Sequence, residues 1–253
     1  MSKGRVFALI SSLMLASAGS AALAEEGHHW SYQGATGPAH WAALEHEFES
    51  CGIGHEQSPI DIKSAAAKKE RLPVIAFAYH HGPLRMIDNG HTVQVNVPPG
   101  SSIDVGGHRY ELVQFHFHKP SEEAIDGKHA DMVAHLVHRD SDGKLAVVAV
   151  LLKAGDPNPF VALLWQNLPK NKGVEVEAKG VDIDPDELLP RDRAYFTFTG
   201  SLTTPPCSEG VTWYVLKHPA TLSSGEIARF ARLYPMNARP VQPLHGRVVR
   251  ASE

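Results

Sequence analysis

The chain has 253 residues, of which 43% are hydrophobic and 21% are charged, and its formal net charge is −4. This length and hydrophobic content suit one large domain with a sizeable core, and the acidic balance argues against nucleic acid as a partner. No internal repeat or low-complexity tract is visible in the sequence.

The beginning of the chain has the features of a secretory signal peptide. Two basic residues precede an apolar stretch at 6–18, and Ala22-Leu-Ala24 is a small-residue cleavage signal. The apolar stretch is too short for a comfortable membrane span, although an uncleaved anchor is the alternative. Cleavage near Ala24 would remove residues 1–24 and leave a mature domain at 25–253 that is periplasmic or secreted and free of the membrane.

Short apolar runs between clusters of Pro, Gly, Asn and Asp dominate the rest of the sequence, and this pattern is typical of β-strands. The predicted strands are Val74–Tyr79, Leu84–Asp88, Thr92–Val97, Ile103–Val105, Arg109–His118, Asp131–His138, Lys144–Lys153, Tyr195–Thr199 and Val211–Leu216. Helices are predicted at Pro159–Trp165 and Ser223–Leu233, the second with Ser223 or Ser224 as its N-cap. The pattern therefore predicts a mainly β (α+β) single domain with short peripheral helices.

Histidines on two of these strands form a candidate metal site. His116 and His118 are two residues apart, so their side chains point to the same face of one strand. A neighbouring strand can supply His135, and three neutral imidazoles with an open fourth position are the ligands of a hydrolytic or hydrating zinc site. Gln114, on the same face, is placed to hold an imidazole N–H. Polar decoration of a strand without any metal is the alternative.

The strand that carries the first two histidines is predicted to have one apolar face. Strict alternation puts Leu112 beside Gln114 on the histidine face and puts Val113, Phe115 and Phe117 on the opposite face. The apolar face would fix the register of the strand against the core.

Seven separated motifs are similar to those of α-class carbonic anhydrases and follow in that family's order. They are Gly37-Pro-Ala-His-Trp41, Gln57-Ser-Pro-Ile-Asp61, Asn89-Gly-His91, Gln114-Phe-His-Phe-His118, Ala134-His-Leu-Val-His138, Ser201-Leu-Thr-Thr-Pro-Pro-Cys207 with Val211-Thr-Trp213, and Asn237-Ala-Arg-Pro240. The chain thus resembles a bacterial, exported member of the family from about His28 to Val249. The resemblance implies a large, twisted, mostly antiparallel central sheet and a Zn2+ ion bound by His116, His118 and His135 at the bottom of a cone.

The resemblance also implies a reaction, the reversible hydration of carbon dioxide to bicarbonate and a proton through a zinc-bound hydroxide. Glu122 and Thr203 resemble the family's gate, in which the threonine hydroxyl donates to the carboxylate and can then only accept a hydrogen bond from the nucleophile. His91 resembles the proton shuttle, because histidine titrates nearest to neutral pH. The expected partners are carbon dioxide or bicarbonate and sulfonamide and anion inhibitors, and the expected oligomeric state is a monomer or homodimer.

Further residues are matched to the family's site by the same resemblance. They are the substrate pocket of Val137, Val147, Leu202, Thr204 and Trp213, the water network of Tyr32, Asn89 and Gln94, the orienting groups Gln114 and Asn237, and the disulfide Cys51–Cys207. An even number of cysteines in an exported chain also favours a disulfide by itself, although two buried free thiols are the alternative. Because Cys207 follows Thr203 and Thr204, a disulfide would tether the loop that shapes the site.

One position departs from the family pattern. The family usually has a carboxylate two residues before the third ligand, and this chain has Val133 there. The backbone near Asn237 can orient His118, but the sequence offers no obvious partner for His135. We expect a water, a backbone carbonyl or a side chain from another strand to substitute imperfectly, so that a glutamate at position 133 would slow the loss of zinc.

Two alternatives belong to other classes of protein. His116 and His118 followed by Glu122 have the spacing of a cupin's first metal motif, but His135 comes only 13 residues after Glu122 and without the P-x-G turn of a cupin. The second alternative is a non-catalytic periplasmic zinc-binding module related to carbonic anhydrases. Such modules typically lack a ligand histidine or the gate threonine, and this chain retains both.

Overall fold

The structure is a computed structural model that describes Met1 and residues 30–253, so the predicted signal peptide lies outside the described residues apart from Met1. Its strands are β1 (Asp61–Ile62), β2 (Lys68–Glu70), β3 (Ile75–Ala78), β4 (Gly82–Asp88), β5 (Val93–Asn96), β6 (Ser102–Val105), β7 (His108–His118), β8 (Ala124–Ile125), β9 (Lys128–His129), β10 (Met132–Arg139), β11 (Leu145–Ala154), β12 (Val176–Ile183), β13 (Tyr195–Ser201), β14 (Glu209–Leu216), β15 (Ala220–Leu222) and β16 (Arg250–Ser252). Its α-helices are α1 (Trp41–Leu44), α2 (Ser50–Ile53), α3 (Pro159–Gln166) and α4 (Ser224–Leu233), and 3₁₀ helices lie at Gly34–Thr36, His46–Phe48 and Pro185–Leu188.

A sheet of 13 strands is the framework of the molecule. Its main path runs β12-β4-β5-β7-β10-β11-β14-β13-β16-β2, and β3, β6 and β15 pair at its side, while β1, β8 and β9 form a separate three-stranded sheet. Most pairs in the large sheet are antiparallel, but β11 and β14 at its centre are parallel. The predicted mainly β fold with a mostly antiparallel central sheet is confirmed.

The two faces of the large sheet have different neighbours because side chains alternate along each strand. On β10, Ala134 and Leu136 join a core cluster that also contains Phe160 of α3 and Phe230 of α4. Val133, the residue before Ala134, belongs to a second cluster on the opposite face. That second face carries the histidines.

Strand β7 breaks its alternation at Val113. Two successive residues of β10, Val137 and His138, pair with Gln114 and Leu112, so Val113 is an extra residue on β7. Leu112 therefore packs in the first core cluster, and Val113 is 36% exposed. The prediction that Leu112 shares the histidine face and that Val113 lies on the apolar face is wrong, because this β-bulge shifts the alternation by one residue.

The helices are short, and α3 and α4 pack on the first face of the sheet. Helix α3 is capped by the Asn158 side chain, which accepts a hydrogen bond from the Val161 N–H. Helix α4 begins with a capping box in which Ser223 and Glu226 satisfy each other's backbone N–H groups. Among the residues described, no helix combines the length and the apolar character that a membrane span requires.

Cys51 and Cys207 form the expected disulfide, with their Cα atoms 5.0 Å apart across a sequence separation of 156 residues. Both cysteines are buried in a small cluster with Tyr32 and Trp41. The disulfide joins the N-terminal helices to the loop between β13 and β14, which carries the two threonines of the predicted site.

Candidate metal centre

Three imidazoles from two paired strands meet on the second face of the large sheet. His116 of β7 pairs with His135 of β10, and His118 pairs with Val133, so the antiparallel register brings all three rings together. One nitrogen from each ring can be chosen so that all three lie within 4.8 Å of one another. His118 and His135 are each only 1% exposed.

The remaining nitrogen of each ring is hydrogen-bonded to a different acceptor. The pairs are His116 Nδ1 with Gln114 Oε1 at 2.8 Å, His118 Nδ1 with Asn237 O at 2.7 Å, and His135 Nε2 with Glu123 Oε1 at 2.9 Å. An oxygen acceptor leaves the hydrogen on the imidazole nitrogen, so the lone pairs of His116 Nε2, His118 Nε2 and His135 Nδ1 remain for a cation. His118 Nε2 is buried without a hydrogen-bond partner, so the donor set fits a metal ion that prefers imidazole.

The protonation of the rings also suits metal binding. Burial lowers the pKa of His116 to about 3, and His135 adds to the effect. Burial likewise lowers the pKa of His118 well below its ordinary value. Burial also lowers the pKa of His135, but Glu123 and Glu122 outweigh this, so the pKa of His135 is raised. Two of the three imidazoles are therefore neutral, and the third is held between carboxyl groups.

Glu122 lies behind the imidazoles and is fully buried. The Arg239 backbone N–H donates to its Oε1 at 2.7 Å, and its two oxygens lie 3.6 Å from His118 Nδ1 and 3.8 Å from His135 Nδ1. Burial raises the pKa of Glu122 to about 7, and the neighbouring His135, Arg239 N–H and Thr203 hydroxyl oppose that rise. The Thr203 hydroxyl therefore lies close to this carboxyl, although Glu122 Oε2 has no hydrogen bond of standard geometry.

An apolar surface borders the histidines on the side of β11 and β14. Val137, Val147 and Trp213 are register partners on three successive strands, so they form a continuous row. Leu202 is half-buried against the same cluster. The Trp213 ring also meets the His135 ring edge-on, with centroids 4.9 Å apart.

The loop that carries the two threonines is fastened to the rest of the site. Thr204 O accepts the Cys207 N–H at 2.8 Å, and Cys207 O accepts from Gln57 Nε2 at 3.0 Å. The Arg239 guanidinium then donates to Gln57 Oε1 and to Cys51 O, each at 2.8 Å. The disulfide and the gate carboxyl are thus joined through one buried arginine.

His91 lies at the edge of the site and is half-buried. Its ring stacks on Trp30, with centroids 3.7 Å apart and an interplanar angle of 8°. Asn89 Oδ1 accepts the His91 N–H at 3.0 Å, and Asn237 Nδ2 donates to His91 O at 3.0 Å. The backbone of His91 is therefore tied to the same asparagine that orients His118.

The other residues of the predicted water network lie between His91 and the imidazoles. Gln94 of β5 is the register partner of His116, and Asn89 Nδ2 donates to Gln94 Oε1 at 3.4 Å. Tyr32 is buried, and its pKa is raised by burial and by the nearby charge of Glu122. Polar groups thus face this side of the site, opposite the apolar row.

Sequence reasoning missed three residues that contribute to this geometry. Glu123 holds His135, Trp30 stacks on His91, and the guanidinium of Arg239 joins the disulfide to the gate. Arg239 stood inside a recognised motif, whereas Glu123 and Trp30 carried no periodic or spacing signal.

Comparisons with known proteins agree with this geometry. The family model for eukaryotic-type carbonic anhydrase matches residues 36–253. A carbonic anhydrase of Klebsiella pneumoniae is 47% identical over 225 residues, which cover 87% of this chain and 90% of that protein. One from Nostoc sp. is 44% identical over 224 residues, covering 87% and 85%. The α-carbonic anhydrase of Thermovibrio ammonificans, solved with the inhibitor sulfanilamide, has a TM-score of 0.86 at 42% identity and covers 90% of this chain and 100% of that chain.

Proposed function

This chain belongs to the α-class carbonic anhydrase family, and we propose that it hydrates carbon dioxide reversibly at a zinc ion bound by His116, His118 and His135. The observation that carries the proposal is the orientation of the imidazoles, each of which turns one nitrogen toward the other two and gives the second to an acceptor. When bound, zinc supplies the Lewis acidity that lowers the pKa of a water and makes a nucleophile available near neutral pH.

Thr203 and Glu122 orient that nucleophile in our proposal. A buried carboxylate accepts the threonine hydroxyl hydrogen, so the Thr203 oxygen can only accept a hydrogen bond from the attacking oxygen. The burial of Glu122 and its hydrogen bond from the Arg239 N–H support this role, because they hold the carboxyl in one position. The lone pair used for attack is then directed at the substrate.

We assign the apolar row as the binding site for carbon dioxide. A small apolar molecule gains nothing from polar groups, and burial against apolar side chains removes it from water. Val137, Val147, Leu202 and Trp213 pack together beside the imidazoles, which supports this assignment.

His91 carries the proton to solvent in this scheme. Each turnover releases a proton, and a half-buried histidine at the rim can accept it from water and pass it to buffer. Tyr32, Asn89 and Gln94 lie on the same polar side and would order the intervening water.

Sulfonamides are the inhibitors that this site would accept. The T. ammonificans relative was solved with sulfanilamide, and three imidazole ligands here would leave the fourth position on zinc for the nitrogen of a sulfonamide. Anions would compete for that position because the positive charge of the zinc ion attracts them.

We further propose that residues 1–24 are removed and that the mature enzyme works in the periplasm or outside the cell. The Cys51–Cys207 disulfide supports this location, because disulfides persist in oxidising compartments.

Membership of the carbonic anhydrase family argues against the cupin alternative. The large sheet of 13 strands agrees with that membership. The non-catalytic zinc-binding module makes a different prediction from the enzyme, since it would bind zinc without hydrating carbon dioxide.

The deciding experiment combines stopped-flow hydration with metal analysis of the mature protein. Wild type should bind one zinc and be active, whereas His118→Ala should lose zinc and activity together, because two histidines rarely hold zinc. His218→Ala is the matched control, since His218 is exposed and its imidazole lies 3.2 Å from the Asp192 carboxyl, far along the chain from the three ligands. A zinc-loaded wild type without activity would support the non-catalytic module, and stoichiometric zinc in His118→Ala would refute the ligand assignment.

A further inference from the structure

The third imidazole has an unusual neighbour on its own strand. Val133 lies two residues before His135 on the same face of β10, and it is fully buried. A valine cannot accept the imidazole N–H, so this strand leaves His135 Nε2 without a partner. The partner comes instead from the loop after β7, where Glu123 Oε1 lies 2.9 Å from His135 Nε2.

We infer that Glu123 is the positioning residue of His135, which compensates for Val133 and directs His135 Nδ1 toward the other two ligands. A carboxylate only accepts hydrogen bonds, so the hydrogen must sit on Nε2 and the lone pair on Nδ1. His116 and His118 use the opposite arrangement, with Nδ1 bonded to neutral acceptors. The inference rests on the proposed zinc site.

Glu123 is held firmly enough for this task. It is fully buried, and the Ser121 hydroxyl donates to its backbone carbonyl at 2.7 Å. The same hydroxyl accepts the Ala130 N–H at 2.8 Å, and the following residue, Ala124, begins the β8 strand that pairs with β1. The main chain on both sides of Glu123 is therefore fixed by hydrogen bonds.

The side chain of Glu123 has one further property that points to His135. Its Oε2 is buried without a hydrogen-bond partner, and its Oε1 accepts from His135. The carboxylate is therefore committed to His135. Glu122 approaches the other side of the ring, with Oε2 3.8 Å from Nδ1. Adjacent residues thus place two carboxyl groups on opposite sides of one imidazole. Charge-assisted hydrogen bonds of this kind are stronger than neutral ones.

Moving the carboxylate tests the inference more sharply than removing it. Glu123→Gln keeps the shape and removes the charge, and we expect zinc release to a chelator to become about 10- to 100-fold faster. Val133→Glu places a new carboxylate on the same face of β10, two residues from His135. Adding it to Glu123→Gln should recover much of the lost zinc retention.

Val133→Glu alone should lower the melting temperature and should not slow zinc release. Two carboxylates would then face one N–H, and one of them would stay buried without a donor. This reverses the effect expected from the sequence, because the sequence did not show that Glu123 already occupies the role.

Glu226→Gln is the matched control, because Glu226 is a buried carboxylate that is 8% exposed and caps α4 instead of touching a ligand. It should lower stability without changing the zinc release rate. If Glu123→Gln fails to fold, Glu123→Asp shortens the side chain by one methylene and should show an intermediate release rate.

Nitrogen NMR of labelled histidine reads the tautomer in the zinc-free and zinc-loaded protein. We expect His135 to carry its hydrogen on Nε2 in wild type and in the double variant, and to show a weaker preference in Glu123→Gln, because an uncharged amide can either accept from Nε2 or donate to it. Wild-type release rates in folded Glu123→Gln, or a double variant that releases zinc as fast as the single one, would overturn the inference. If wild type takes up no zinc, the proposed function fails instead, and zinc-free spectra recorded at alkaline pH, where the His135 ring is neutral, still decide whether Glu123 fixes the tautomer.

Discussion

Thr203 lies beside the Glu122 carboxyl, and its hydroxyl is one of the groups that oppose the rise of that carboxyl's pKa. Thr203→Val keeps the shape of the side chain and removes the hydroxyl. We expect kcat/KM for hydration to fall about 100-fold, because the nucleophile loses the acceptor that orients it. Sulfanilamide affinity should fall as well, and bound zinc should stay stoichiometric.

Stopped-flow kinetics and calorimetry measure the two effects. Thr199→Val is the control, because Thr199 is exposed on β13 and is not among the groups that shift the pKa of Glu122. If Thr203→Val binds sulfanilamide as tightly as wild type does, the hydroxyl is not part of the gate.

A variant at His91 distinguishes proton transfer to solvent from the hydration of carbon dioxide. His91→Ala should lower kcat by at least about 10-fold in weak buffer, since the general acid and base at the rim is lost. Added imidazole should restore part of the rate, and kcat/KM should change little because the gate is untouched. A lowered kcat that imidazole does not rescue would assign the shuttle to another group.

The partners of the site residues were predictable to different degrees. Gln114 was predicted as the partner of His116 from strand geometry, because contacts at i and i+2 follow from a regular strand. Asn237 lies 119 residues from His118, and only the resemblance to a family brought the two together. Glu123 could not be foreseen, because the course of the loop after β7 leaves no pattern in the sequence.

At the scale of elements, helix α4 shows how a terminus is fixed. The Ser223 hydroxyl accepts the Glu226 N–H at 3.2 Å, and the Glu226 carboxylate accepts the Ser223 N–H at 2.6 Å. Ser223→Ala should lower the free energy of unfolding by about 1 kcal/mol, the usual cost of losing an N-cap. Denaturant unfolding measures this, and Ser224→Ala, one residue further and exposed, should change it much less. Equal losses would mean that the hydroxyl of Ser223 is not the cap.

The strands of four or more residues were predictable except for β12, which is eight residues long but mostly exposed, and the shorter strands were not predicted. The nine predicted strands all occur, since alternation over several residues is a clear signal. Strands such as β8 and β9 have two residues each, which is too short for any periodicity. The parallel pairing of β11 with β14 depends on the path of the chain between them, and the bulge at Val113 depends on the partner strand.

At the scale of the whole molecule, a buried histidine outside the metal site affects how the stability of the fold depends on pH. His138 is fully buried in the core, its Nε2 lies 2.8 Å from the Tyr79 hydroxyl, and burial lowers its pKa from 6.5 to about 3. Between about pH 6.5 and 3, the unfolded chain therefore binds a proton at His138 that the folded chain does not bind. This contribution to stability is complete above about pH 6.5 and is lost as the pH falls toward 3.

His138→Gln keeps an acceptor for Tyr79 and removes the titration. The free energy of unfolding of the zinc-free variant should depend less steeply on pH between about 6.5 and 3, by up to one proton. Denaturant unfolding across this range compares it with zinc-free wild type and with His218→Gln, whose imidazole is exposed. An unchanged slope would show that His138 does not resist protonation in the folded state.

The connection from Cys51 and Cys207 through Gln57 and Arg239 to Glu122 has a consequence for when the enzyme matures. Strands β7 and β10 alone supply the three imidazoles, so a chain with reduced thiols can still assemble its ligands. The loop that carries Thr203 is covalently tied down only after the two sulfurs are oxidised. If the chain is exported as we propose, the oxidising compartment would supply this last covalent bond after the ligand strands have formed, so that the gate loop would be fixed only at its destination.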